Sequence, residues 1–122
     1  MKVVSYKDLT VWQKSMDLTV IVYELVKKLP KDETYGLISQ MKRAVVSIPL
    51  NISEGKNRSS YKDYAHFLTI AQGSKAELET LFEICLRLGF LSEEDICKAL
   101  ELLEEISKML RILIIKLRKM GN

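Results

Sequence analysis

Gln40, Arg43, Ser47, Asn51 and Glu54 follow one another at intervals of three, four, four and three residues. On a helix that spacing sets polar side chains along one face. A guanidinium, two amides, a hydroxyl and a carboxylate in a row can hold a ligand or a nucleic acid. Glu77 stands where a neighbouring helix could bring it opposite Arg43. A partly buried Arg43 would need that carboxylate, because breaking a buried ion pair costs about 3–5 kcal/mol. The same residues can instead form a hydrogen-bonded network that fixes helix register, and this structural reading is the simpler one.

The second set of candidates is cationic. The net charge is only +3, but residues 1–62 carry eleven Lys/Arg against six Asp/Glu. Residues 63–110 reverse the balance, with four against ten, and the last twelve residues carry four basic and no acidic side chains. A chain with such blocks can meet an anionic partner despite its modest total.

Enzyme chemistry finds little to work with. His66 is the only histidine, and a Ser-His-Asp triad would need an activated nucleophile beside it. A di-iron bundle site takes a Glu-x-x-His pair from each of two helices, which one histidine cannot supply. Cys85 and Cys97 lack the close pairing of metal or redox motifs. They read as buried free thiols. Gly73, between Ala71 and Ala76, lacks the strand and Gly-Lys signature of a phosphate loop and reads as a point of close helix packing. No enzyme activity, metal or cofactor is expected.

The elements that must position these residues are helices, since no stretch alternates with period two. Ser5 and Asp8 form a capping box for the first. Its apolar residues fall in two adjacent stripes, Leu9, Trp12, Met16, Thr19, Tyr23 and Val26 beside Val11, Leu18, Ile21, Val22, Leu25 and Leu29, and Pro30 ends it. The second helix is predicted from Asp32–Thr34 to about Glu54, with Leu37, Met41, Ala44, Val45, Ile48 and Ile52 as its core stripe. Pro49 removes an amide inside that helix and should kink it. Gly55 to Ser59 read as a polar, basic loop. Ser60 with Asp63 opens the third helix, whose buried side runs from Tyr64 through Leu78, Phe82 and Cys85 to Leu88, and Gly89 suits a left-handed cap. Ser92 with Asp95 opens the fourth, with Leu91 and Ile96 as a hydrophobic staple. Its core stripe is Ile96, Ala99, Leu100, Leu103, Ile106, Leu110, Leu113 and Leu117. At 122 residues the chain has the length of a single domain, 1–122.

Short connections between long helices predict an all-α, antiparallel up-down-up-down four-helix bundle. Alternating directions would gather Lys2, Lys7, Lys56, Arg58, Lys62, Arg111, Lys116, Arg118 and Lys119 at one end, opposed only by Asp8, Glu54 and Asp63. Such an end can hold phosphates in a salt-sensitive way. Cations in a last helical turn also favour the helix dipole, by about 0.3–1 kcal/mol each, so phosphate binding is not the only use for them.

The first helix and the run Ile112-Leu113-Ile114-Ile115 carry more apolar surface than one bundle buries. Self-association hides such surplus. The alternative, a membrane-surface helix from Arg111 to Met120, is disfavoured by the acidic start of the same helix. No apolar signal core follows Lys2 and no uncharged run spans a bilayer. A cytoplasmic protein is expected.

The words Tyr6-Lys7-Asp8-Leu9, Val11-Trp12-Gln13-Lys14, Tyr35-Gly36-Leu37, Gln40-Met41-Lys42-Arg43-Ala44, Ser47-Ile48-Pro49, Asn51-Ile52, Glu54-Gly55 and Gly73-Ser74 with Glu77 occur in that order. Together they resemble the four-helix-bundle family encoded in intervening sequences of bacterial 23S rRNA genes. Where that family often shows Ile-Ala-Glu-Gly, this chain has Ile52-Ser53-Glu54-Gly55. The resemblance implies a left-handed bundle that assembles as a homopentamer. It also implies kinship with the accessory protein of diversity-generating retroelements, a basic pentamer that binds nucleic acid and a reverse transcriptase. It carries over no catalytic residue. The expectation is a non-enzymatic, homo-oligomeric protein associated with RNA or another nucleic acid through its basic end. The competing expectation is a structural or adaptor protein that holds a protein partner in apolar grooves.

Overall fold

A computed structural model of the protein describes residues 5–121. It contains four long helices, α1 (Thr10–Leu25), α2 (Leu37–Lys56), α3 (Tyr61–Arg87) and α4 (Glu93–Met120), and no strand among the described residues. The buried apolar side chains of all four form one cluster, with Leu18, Met41, Ile48, Leu68, Phe82 and Leu103 wholly enclosed. Each such side chain contributes about 1.5–3 kcal/mol when removed from water.

The helix ends follow from local chemistry. Ser92 Oγ accepts from the Asp95 amide and Asp95 returns the bond to the Ser92 amide, a complete capping box that starts α4. Leu91 and Ile96, on either side of it, are both buried. Ser60 Oγ accepts from the Asp63 amide at the start of α3. Gly89 closes α3 with a φ of 75°, its amide bonding to Leu86 and that of Phe90 to Cys85. That pair of bonds is the Schellman motif.

Several expectations need correction. The Ser5–Asp8 box is present, but it winds a short 3-10 turn over Tyr6–Asp8 ahead of α1. Lys31–Glu33 is a separate 3-10 turn, and α2 starts only at Leu37. The Glu33 carboxylate accepts from the Leu37 amide and so caps the later start. At its other end α2 continues past Gly55 to Lys56. Gly55 is buried there because a Cβ would meet Tyr64 Cδ1 at 2.9 Å and Phe67 Cβ at 3.0 Å. The close approach expected at Gly73 therefore belongs to Gly55; a Cβ at Gly73 would have nothing within 4 Å.

The two α1 stripes are buried unequally, and in the stripe of Met16 and Tyr23 Val26 is buried while Leu9 and Trp12 only flank the core. Val11, Leu18, Val22, Leu25 and Leu29 are buried, whereas Met16 and Tyr23 stay 41 % and 40 % exposed. Leu88, Leu100 and Cys97 also lie outside the core, and Ile114 enters it. Cys85 is buried as expected, 3.8 Å from Met41 Sδ, and burial raises its thiol pKa, with help from the charge of Glu33. Burial likewise raises the pKa of the Tyr64 phenol.

Named contacts fix the neighbours. Lys14 pairs with Glu105 and Lys28 with Asp95, each at 2.7 Å, between α1 and its flank and α4. Ser74 Oγ donates to Ser47 Oγ at 2.8 Å between α3 and α2. Gln72 and Ser107 lock α3 to α4 reciprocally, the Gln72 amide donating to the Ser107 carbonyl and the Ser107 hydroxyl to Gln72 Oε1. No helix of the described residues is long and apolar enough to cross a membrane.

Candidate nucleic-acid interface and polar cleft

The cationic candidates divide into groups. Lys62 in the first turn of α3 and Arg118 in the last turn of α4 line one cleft of about 590 Å³, together with Ala65, His66, Thr69 and Gly121. The small residues Ala65 and Gly121 leave it open, and the Gly121 backbone approaches the Lys62 amide. Residues distant in sequence thus become neighbours because α3 begins where α4 finishes. Lys119 shares that last turn of α4. Arg111 lies two turns earlier on the Arg118 face, and Arg111 and Lys116 are exposed.

Arg58 sits on another side of α3. Its guanidinium lies 4.6 Å above the Phe67 ring and 3.6 Å from the Glu54 carboxylate. An exposed pair of this kind contributes at most about 1 kcal/mol, so Glu54 restrains Arg58 without consuming it. Phe67 and Glu54 also line a shallow cleft with Tyr6 and Asn57, which brings the turn bearing Lys7 to the same region. Lys56 is half-buried at the close of α2. Lys2 lies outside the described residues.

The polar stripe is resolved into two parts. Gln40, Arg43 and Ser47 of α2 face Ser74 and Glu77 of α3 across a second cleft, of about 460 Å³. Asn51 sits below it and donates to both the Ser47 carbonyl and Ser47 Oγ, at 2.8 and 2.9 Å. Glu54 belongs to the basic end, not to this cleft. Of the polar stripe, Ser47 and Asn51 bond to each other, and Ser47 bonds also to Ser74, a residue outside the stripe. Arg43 and Glu77, although they line one cleft, are not among the ion pairs of the described residues, and Arg43 is exposed rather than partly buried.

Two features acquire a location only in the fold. His66 becomes a wall of the basic cleft; its four-residue spacing from Lys62 was the available signal. An apolar groove of about 350 Å³ runs between α1 and α2, lined by Tyr6, Trp12, Met16, Val46, Pro49 and Leu50 among others. The outer α1 stripe announced it. Among the described residues no group of three or more His, Cys, Asp or Glu could hold a metal ion.

Over residues 7–111 the chain matches the family described as 23S rRNA-intervening sequence protein. Among solved structures it is similar to a protein of unknown function from the S23 ribosomal protein family of Bacteroides thetaiotaomicron. That likeness has a TM-score of 0.77 at 25 % identity and covers 86 % of this chain and 98 % of the other. No curated protein matches the chain.

Proposed function

The chain belongs to the 23S rRNA-intervening sequence protein family, and from that premise we propose that it is a non-enzymatic, homo-oligomeric binding protein that engages RNA phosphates through its basic end. The observation that carries this reading is the cleft where Lys62 and Arg118 meet beside His66. Two cations from different helices converge there, with no acidic side chain in the lining.

The reading takes the helices as an antiparallel up-down-up-down bundle. In support, the contacts step in opposite senses along paired helices. Lys14 and Lys28 meet Glu105 and Asp95 respectively, while Met41 and Ser47 meet Cys85 and Ser74. Gln72 meets Ser107 and Lys62 approaches Gly121. A bend at Pro49, which has no amide to give to Val45, belongs to the same proposal. Residence in the cytoplasm accords with two free cysteines, one of them exposed.

Self-association is supported by Val20, Leu50 and Ile112, which are 65 %, 60 % and 68 % exposed in the single chain. The family resemblance suggests five copies. Light scattering on a sizing column measures that number, and the absorbance ratio of the same peak reports bound nucleic acid. Replacing Arg58, Lys62, Arg118 and Lys119 by glutamate is expected to abolish retention of RNA in a low-salt shift assay. Unchanged retention removes these residues from the proposal.

The α1–α2 groove favours a second reading, an adaptor that holds a protein partner on Trp12, Met16 and Leu50. That reading predicts capture insensitive to salt, with no nucleic acid co-purifying.

A further inference from the structure

The cleft between α2 and α3 has a chemistry of its own, separate from the basic end. Ser47 Oγ accepts from Asn51 and shares a hydroxyl–hydroxyl bond with Ser74, whose Oγ also reaches the Ile70 carbonyl at 3.4 Å. Beside it the Arg43 guanidinium and the Gln40 amide offer further donors. Glu77 is the one carboxylate of the lining. Neither charge has a partner on its own helix, because the residues three and four away from Arg43 are Gln40, Val46, Ser39 and Ser47, and those around Glu77 are Ser74, Thr80, Gly73 and Leu81. Opposite charges therefore line one cleft and are not paired with each other among the described residues.

Gly73 adds an independent observation. It lies one turn before Glu77 in the interior of α3 and is exposed. A glycine there weakens the helix, and no neighbour occupies the place of its Cβ. Packing within the chain does not account for it. A missing side chain beside Glu77 does leave room for something to approach the backbone.

The charges select what that is. A lone anion at Arg43 would face the Glu77 carboxylate, and a lone cation at Glu77 would face the guanidinium. The lining holds no aromatic ring on which a nucleobase could stack. We propose that the α2–α3 cleft binds a small zwitterion of the free α-amino-acid type. Arg43 and Gln40 hold its carboxylate, and Glu77 holds its ammonium beside Gly73. Such a ligand exchanges water for charge-assisted hydrogen bonds at both ends. Clefts of this size suit small molecules.

Isothermal titration of the full chain with each standard α-amino acid at millimolar concentration tests this. At least one is expected to bind saturably, one per chain. Its N-acetyl and its amide derivatives, each lacking one charge, are expected to bind roughly tenfold more weakly or worse. R43Q and E77Q are expected to lose affinity to the same extent, with helicity and subunit number unchanged. G73A is expected to raise the melting temperature and yet weaken binding, a pairing that a purely structural glycine does not produce. The proposal is overturned if no amino acid binds. It is overturned equally if the singly charged derivatives match the parent, or if R43Q and E77Q change subunit number instead of ligand affinity.

Discussion

Lys28 Nζ lies 2.7 Å from Asp95 Oδ1, joining the turn that follows α1 to the first turn of α4. Asp95 also accepts from the Ser92 amide. The Lys28 bond first, and the Ser92 bond after it, hold the Asp95 carboxyl at about 2, below the ordinary 3.8. A carboxyl depressed on folding adds stability that is complete above the unfolded value and is lost as pH falls through the folded one. The chain should therefore lose stability between about pH 4 and pH 2 in proportion to this one group. Urea midpoints of the wild type and D95N, followed from pH 7 downward, check it. D95N should be weaker at neutral pH and should lose less on acidification.

Gly89 is the only described residue with positive φ, at 75°. An L side chain there pays about 1–2 kcal/mol in steric conflict. Gly89→Ala should lower stability by that amount in thermal denaturation. Nothing lies within 4 Å of the position, so the loss should reflect backbone conformation alone and be nearly the same for Gly89→Ser.

Two helical glycines should respond with opposite signs. Gly55→Ala would drive a methyl into Tyr64 and Phe67, and the backbone carbonyl of Tyr64 at 3.1 Å cannot rotate away. Overpacking of this kind costs about 1–3 kcal/mol. Gly73→Ala meets nothing and should stabilise by up to about 1 kcal/mol through helix propensity. Paired denaturant titrations of the two variants give the comparison.

These glycines also mark how far the sequence could be read. Caps at Ser60, Ser92 and Gly89 were legible because each satisfies its own orphan backbone groups within a few residues. Which glycine needed its hydrogen was not, because that depends on Tyr64 arriving from another helix. The start of α2 was misplaced for a similar reason. Glu33 reads as a first-turn acid by type, but its carboxylate reaches forward to the Leu37 amide and caps a helix that has yet to begin. On α1 two apolar stripes competed, and periodicity alone had no means of choosing the Leu18 side over the Met16 side. For the candidate sites, the Ser47–Asn51 bond follows from an interval of four on one helix. That Arg43 and Glu77 are not paired among the described residues, and that His66 enters the basic cleft, required coordinates.

Salt dependence gives the sharpest test of the basic cleft. If Lys62, Arg118 and Lys119 each neutralise a phosphate of single-stranded RNA, each contact releases counterions. The slope of log affinity against log salt then falls in magnitude by about 0.7 per contact removed. Replacing all three by glutamine should therefore flatten the slope by about 2. Arg58→Gln should change it less, because Glu54 at 3.6 Å already supplies an anion that the phosphate must displace. Lys14→Gln removes a cation engaged by Glu105 away from the cleft and should leave the slope unaltered. Filter binding of one RNA at several salt concentrations measures all three. Equal flattening by Lys14→Gln and by the cleft variants would mean that binding follows total charge and not the meeting of α3 with α4.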